Sequence, residues 1–187
     1  WSLVFPEENH PIYPADIDAN YDGKQEISAW YNMADVPVTS WLNLIGGVRF
    51  ESTRISIVND PEPLLTWIPP GSTNPVKLNP GDADVSFEQD DVLPAIGFVF
   101  RPFEQVSFRG SFAETIARQT FKELSPLQQQ DFLGGDVFIG NPELRMSSLK
   151  NYDLRLDLTP YEGGLFSVSY FYKDIKDPIE YVQKVVS

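Results

Sequence analysis

The stretch "NYDLRLDLTPYEGGLFSVSYFYKDI" (residues 151–175) holds two alternating runs about a tight turn. On the way in, Tyr152, Leu154, Leu156 and Leu158 share one face, and Asn151, Asp153, Arg155, Asp157 and Thr159 share the other. On the way back, Phe166, Val168, Tyr170 and Tyr172 oppose Ser167, Ser169 and Lys173. Successive side chains of a strand point to opposite faces, so the pattern predicts a hairpin with one greasy and one charged surface. The fold turns on which of those surfaces meets water.

Two more hairpins have the same character. Ile27, Ala29, Tyr31 and Met33 alternate with Ser28, Trp30 and Asn32, which predicts the first four on the apolar side. After a turn at residues 37–41, Leu42, Leu44, Gly46, Val48 and Phe50 oppose Asn43, Gly47, Arg49 and Glu51. A third hairpin runs through Val92, Pro94, Ile96, Phe98 and Phe100, turns at residues 101–105, and returns through Val106, Phe108, Gly110 and Phe112 opposite Ser107, Arg109 and Ser111. Six strands result, and short and long connections alternate strictly between them. The long ones, residues 59–90 and 119–150, are rich in Pro, Gly, Asn and acids. In an up-and-down sheet this places every tight turn at one end and every long loop at the other. Compact soluble domains seldom carry two such loops, whereas outer-membrane barrels pair short turns with long outer loops as a rule.

Composition narrows the chemistry. The 187 residues contain no cysteine and one histidine, which removes disulfide frameworks, thiol nucleophiles and the usual zinc sites. No run approaches the roughly 20 apolar residues of a membrane helix, which excludes a helical span and leaves strands untouched. The net charge of −13 is concentrated. Glu7, Glu8, Asp16, Asp18 and Asp22 stand against Lys24 alone in residues 1–25, and Asp60, Glu62, Asp82, Asp84, Glu88, Asp90 and Asp91 against Lys77 alone in residues 59–91. Such acidity disfavours nucleic acid and anionic headgroups as partners and suits solvated loops. No signal peptide is visible at the start of the sequence, Trp1, so a leader is either removed or lies outside this stretch.

Three features favour apolar faces turned to lipid over apolar faces turned to a sandwich core. The polar faces carry both signs of charge in several strands; each apolar run has about the 9–11 residues needed to cross at a tilt; and Trp41, Phe100, Phe103, Tyr161, Phe166 and Tyr172 cluster near strand ends, as interface girdles do. Six strands fall short of the roughly eight of the smallest single-chain barrels, and an open sheet in lipid would leave unpaired edges, so the strands are expected to be part of something larger.

"FRGSFAETIARQTFKELSP" (108–126) followed by "IGNPELRMSSLKNYDLRLDL" (139–158) resembles the barrel of TonB-dependent outer-membrane receptors. There an R-x-S-[YF]-S-x-T-x-A/T-R-P run enters an outer loop, and G-N-P-[DE]-L-x-P-E leads to a descending N-Y-D/E-L-G-L strand. "LIGGVRFESTRISI" (44–57), "LPAIGFVFRP" (93–102) and "GGLFSVSYFYKDIKDPI" (163–179) are similar to consecutive strands of that family, in the same order. Gln119 stands where the family has proline, and residues 146–148 replace its proline and acid. The resemblance implies an all-β fold: antiparallel up-and-down strands forming part of a transmembrane β-barrel with long extracellular loops. Residues 1–25 would be an extracellular loop or strand lead-in, 26–183 a six-stranded wall section, and 184–187 a truncated end. By the same resemblance the whole receptor is a 22-stranded barrel around a plug in the bacterial outer membrane. It would import a ferric siderophore or an oligosaccharide, with energy from the inner-membrane TonB complex acting through the plug. Its partners would be outer-membrane lipid, that plug and that complex, with no cofactor and no catalysis.

Candidate residues fall into two groups. Arg49, Glu51, Arg109, Arg155 and Asp157 on the polar faces would line the lumen and contact the plug or the passing ligand; mutual neutralisation within the wall is the alternative. In the loops, "LLTWIPPG" (64–71) and "QQQDFLGGDVFIG" (128–140) set Trp67, Phe132 and Phe138 among polar groups, platforms suited to a sugar or an aryl siderophore, or to ordinary loop packing. "DANYDGKQEISA" (18–29) has the acid spacing of half a calcium loop but ends on Ala29 where a bidentate acid belongs, so an acidic turn entering a strand is the better account. His10 reads as a solvated loop histidine, and Asp153 and Asp157 flank Arg155 as a salt bridge rather than a hydrolytic carboxylate pair. No Ser/His/Asp set and no phosphate-binding glycine loop can be assembled, which speaks against a barrel enzyme. The competing reading is a soluble antiparallel β-sandwich, a binding or adhesion module with long recognition loops.

Overall fold

The structure, a computed structural model, describes residues 20–60, 66–69, 72, 74–130 and 135–183. In chain order the elements are β1 (Asn20–Thr39), β2 (Leu42–Asp60), β3 (Thr66–Trp67), β4 (Val76–Lys77), β5 (Val85–Phe103), β6 (Val106–Ala117), α1 (Phe121–Leu124), β7 (Gln128–Gln130), β8 (Val137–Ile139), β9 (Ser147–Leu158) and β10 (Phe166–Lys176). Six of these form one antiparallel sheet in the order β1-β2-β5-β6-β9-β10, each strand beside its predecessor in the sheet, and β1 does not pair with β10. The small pairs β3·β4 and β7·β8 lie in the two long connections. All three short turns, at residues 40–41, 104–105 and 159–165, therefore sit at one end, as the alternation of connection lengths predicts.

The strands outrun their sequence signal. β2 and β5 have 19 residues each, so the first long connection spans 61–84 rather than 59–90 and the second 118–146 rather than 119–150. At about 3.3 Å per residue β2 is about 60 Å long. The reason lies in a change of polarity along the strand. From Leu42 to Phe50 most of the apolar residues are even-numbered; above Phe50 the buried apolar residues are odd-numbered, Ile55 and Ile57, while Arg54, Ser56 and Asp60, with the exposed Val58, take the other side. β5 mirrors this through direct partners: Val92, Pro94, Ile96, Phe98 and Phe100 oppose the even residues of β2, whereas Phe87 opposes Ile55 and Val85 opposes Ile57. A search for one alternating phase loses the strand where the phase inverts.

One face of the sheet is open and the other is covered in its upper half. On the open face Trp30, Leu44, Ile96, Leu154, Val168, Tyr170 and Tyr172 are exposed, and no second layer among the described residues packs on them. That arrangement removes the sandwich core on which the soluble-module reading depends. Rings pair along this apolar band: Trp30 stacks on Phe50 at 4.4 Å at its upper margin, Phe112 meets Tyr152 at 5.0 Å and Tyr152 meets Tyr172 at 5.9 Å across the strands β6, β9 and β10, and Trp41 meets Phe100 edge-on at 5.5 Å at the lower margin.

The expected phase of β1 is corrected. Tyr31 pairs with Arg49, Ala29 with Glu51 and Ile27 with Thr53, so Ile27, Ala29, Tyr31 and Met33 share the charged face; Trp30, opposite Phe50, is on the apolar one. Four apolar residues against Ser28, Trp30 and Asn32 made the wrong face look greasy. Cross-strand register with β2 decides the matter, because a half-buried sheet matches faces between neighbours. Asn20, Asp22 and Gly23 lie within the same extended strand, paired with Asp60, Val58 and Ile57, not in an ion-wrapping loop; Asp18 and His10 lie outside the described residues.

The dry core is small and sits on the covered face, at its loop end. Ile55, Ile57, Val85 and Leu124 are buried, with Tyr21, Phe87, Phe121 and Leu144 against them. The second long connection thus folds back onto the wall. Gly23 makes room for it, since a Cβ there would stand 3.0 Å from the Phe121 ring. A second cluster, Leu78, Ala83 and Leu127 with Trp67 beside it, packs the two long connections against each other.

Candidate functional site

On the covered face near the tight-turn end, Arg109 and Arg155 are direct cross-strand partners. Like charges in that position repel unless a counter-charge is shared. Asp157, two pairs nearer the turn on the same face, supplies it: its carboxylate accepts from Arg155 Nε at 2.8 Å and from the Ser167 hydroxyl at 2.6 Å, and Arg109 Nη2 stands 3.8 Å away. Both guanidiniums stay about half exposed to the open space before the sheet, at 51% and 49%. Asp153, opposite Ser111, shares this face, so the patch as a whole is balanced in charge. Three of the five candidate polar-face residues thus form one cluster, and Ser167 belongs to it, a residue its small polar side chain gave no reason to single out.

The other two form a separate cluster. Glu51 has 6% of its surface exposed and is held from both sides. Arg49 donates from Nε and Nη2 to Oε2 at 3.0 and 2.8 Å, and Arg118 pairs with Oε1. Directly across the ladder stands Asp91, whose Oδ1 accepts from Gln89 Nε2 at 2.8 Å and whose Oδ2 is buried without a hydrogen bond. Arg118 and Asp91 were not legible as neighbours of Glu51, nor Gln89 as the partner of Asp91. Arg118 lies 67 positions away in sequence and arrives only because the chain leaves β6 toward β2.

Between these clusters the covered face has an open trough of about 380 Å³, floored by Gly47, Ala95, Gly97 and Ala113 and bordered by Tyr31 and Met33. Its walls are apolar, a departure from the uniformly charged face that alternation suggested.

The outer connections are built by short-range rules. Thr120 caps α1: its hydroxyl accepts from the Glu123 N–H at 3.3 Å while the Glu123 carboxylate accepts from the Thr120 N–H at 2.7 Å, a capping box. The Tyr181 hydroxyl, from the segment after β10, donates to the same carboxylate at 3.0 Å. Burial pushes the Glu123 carboxyl up, but the bonds from the Thr120 N–H, Tyr181 and the Thr120 hydroxyl outweigh it and hold it below its usual 4.5. The hydrogen bond to Glu123, with that carboxylate's charge, holds the Tyr181 phenol above its usual 10.0. Gly140 closes the base of the β7–β8 hairpin, donating to the Ser125 carbonyl at 2.9 Å. A Cβ there would strike the carbonyls of Ser125, Glu123 and Lys122.

Of the three aromatic candidates, Trp67 packs against Leu78, Ala83 and Leu127, with a buried indole N–H that has no hydrogen bond. Phe138 is edge-on to Tyr181 at 5.4 Å with the Lys122 ammonium 5.2 Å above its ring. The two rings serve different clusters and do not share a surface in the contacts observed. Phe132 lies outside the described residues.

An open antiparallel wall, an apolar band edged by aromatic rings, charges on the opposite face and long connections at one end belong together in a membrane barrel. Comparison with curated proteins and with solved structures gave no match. The profile of the TonB dependent receptor-like β-barrel family, in contrast, matches residues 5–187, nearly the whole sequence. The chain belongs to the TonB-dependent receptor β-barrel family and is part of a transmembrane β-barrel of an outer-membrane receptor and transporter.

Proposed function

We propose that this chain is a wall section of a receptor that imports a scarce nutrient, a ferric siderophore or an oligosaccharide, across the bacterial outer membrane. Its covered face lines the lumen around a plug of the same full-length protein, and the TonB complex of the inner membrane drives uptake through that plug. The observation that carries this reading is the inversion of polarity at Phe50. Below it the outward face is apolar, as acyl chains require; above it the outward face is polar and the inward face greasy, as a wall rising into water beneath folded loops requires. Arg109 and Arg155, half exposed and balanced in charge by Asp153 and Asp157, suit contact with a plug or a passing polar ligand. Arg49 and Glu51 are consumed within the wall. For ligand capture the exposed rim of β7–β8, with Val137 and Ile139, is better placed than Trp67, whose ring is committed to packing.

Deletion of the gene for the full-length receptor tests the reading. A growth defect confined to iron limitation with a supplied ferric siderophore assigns the first substrate class, and one confined to growth on oligosaccharides assigns the second. Unchanged growth under both conditions sinks the nutrient-uptake proposal.

A further inference from the structure

The six-stranded wall is not continuous along its full height. The β5–β6 ladder ends at Ala95↔Ala113, whereas β2–β5 pairing continues to Ile57↔Val85 and β6–β9 pairing to Ala117↔Ser147. Pro94, which has no N–H to donate, stands where the ladder stops. Above that level the wall is two separate leaves, β1-β2-β5 and β6-β9-β10, with no backbone ladder between them. A charged contact crosses the gap. Arg118, the first residue beyond β6, reaches past β5 to Glu51 on β2.

We propose that Arg118 is a positioning residue that clamps the two leaves together and seats the connection 118–146 against the wall as a fixed shield. The argument has three parts. First, Glu51 and Asp91 are opposed carboxylates on neighbouring strands; Arg49 offsets one charge, and only with Arg118 is the group neutral. Withdrawal of the connection would leave the paired carboxylates of Glu51 and Asp91 with Arg49 alone, one negative charge in excess on adjacent strands, so the clamp and the seated loop are one state. Second, Phe121 and Leu124 follow Arg118 by less than two turns of chain, and the place where Arg118 is held decides where they land, on Gly23, Ile55, Ile57 and Val85. Third, the surface they cover is dry: Ile57 and Leu124 are both fully buried. Ligand moving through the mouth therefore does not touch this part of the wall, and its path runs along the lower covered face and the outer rim of the connection. The outward direction assigned to the loop end rests on the receptor reading above; the clamp itself rests on geometry alone.

The test uses the full-length receptor in intact cells, freed of other cysteines, with single cysteines labelled by a membrane-impermeant maleimide. Val58→Cys, on the open face beside the buried site, is expected to label in every background. Ile57→Cys is expected to stay protected, and Arg118→Met to raise its labelling rate by at least about tenfold as the connection lifts. Arg118→Lys, which keeps the charge, is expected to retain most of the protection, and Arg118→Met combined with Glu51→Gln to be no more open than the more open of the two single variants. Rapid labelling of Ile57→Cys with Arg118 intact, or equal protection with Met at 118, overturns the clamp. Failure of Val58→Cys to label from outside overturns the orientation, and the receptor reading with it.

Discussion

Glu51 shows how one residue can mean one thing in the sequence and another in the fold. Alternation places it on the charged face and invites a role toward a ligand, yet its carboxylate is enclosed by Arg49 and Arg118. Glu51→Gln would remove the shared anion between two guanidiniums and leave Arg118 partly buried without a counter-charge. Loss of one partner of a buried pair is expected to cost about 3–5 kcal/mol, read as a lowered denaturant midpoint of the full-length receptor in detergent with an unchanged slope. Arg155→Gln removes a half-exposed guanidinium and leaves Asp157 its bond from Ser167 and its pairing with Arg109, so it is expected to cost under about 1 kcal/mol in the same assay. The contrast was not visible in the sequence: both arginine–carboxylate sets look alike there, and only the arrival of Arg118 from beyond β6 separates them. Trp67 carries the same lesson, since an aromatic in a polar loop reads as a platform until Leu78, Ala83 and Leu127 are found against it.

At the scale of elements, strand existence was legible and strand extent was not. Period-two patterning marked all six main strands and their antiparallel order, because a sheet with one oily face writes that period directly into sequence. It missed the upper parts of β2 and β5, where the period persists but the sign reverses, and it misassigned β1, where Tyr31 and Met33 border the apolar trough on the charged face. The reversal is testable on one face. Ile96→Arg, in the middle of the band, is expected to destabilise folding into lipid vesicles by about 2–4 kcal/mol, whereas Val58→Arg, on the same face above Phe50, is expected to change it by under about 1 kcal/mol. Equal penalties would refute the placement of the boundary.

The loop elements obey a different control. Glu123 has its folded pKa below 4.5, so the stabilisation it lends is complete above that value and fades as pH falls through the lower folded one. Tyr181, raised above 10.0, loses its contribution as pH rises past 10.0. Between those limits Tyr181 should stay docked on α1. Amide exchange of residues 177–183, corrected for its intrinsic pH dependence, is expected to lose protection as pH falls below 4.5, and Tyr181→Phe to start less protected with a shallower fall.

At the scale of the whole molecule, among the described residues the sheet has two free long edges, β1 and β10, and an apolar face with nothing upon it. Each unpaired backbone group in hydrocarbon costs several kcal/mol, so residues 1–187 expressed alone are expected to remain protease-sensitive when mixed with lipid vesicles, while the complete receptor is protected. Protection of the isolated section would contradict the open-wall account. That the wall is incomplete could be argued from strand number before any coordinates, and the family motifs pointed to the receptor class. The inward fold of the 118–146 connection could not be anticipated, because α1, β7 and β8 are too short to leave a period and their placement depends on Gly23 and Ile57, far away in the chain.

The change of sign at Phe50 also acts as a waterline. Were the section to ride one step deeper, Arg54 and Glu88 would be dragged into oil; one step higher, the stacked pair of Trp30 and Phe50 would be lifted out of the zone where rings are most at home. Vertical drift in either direction is penalised, so the depth at which the hull floats is written in its own planking.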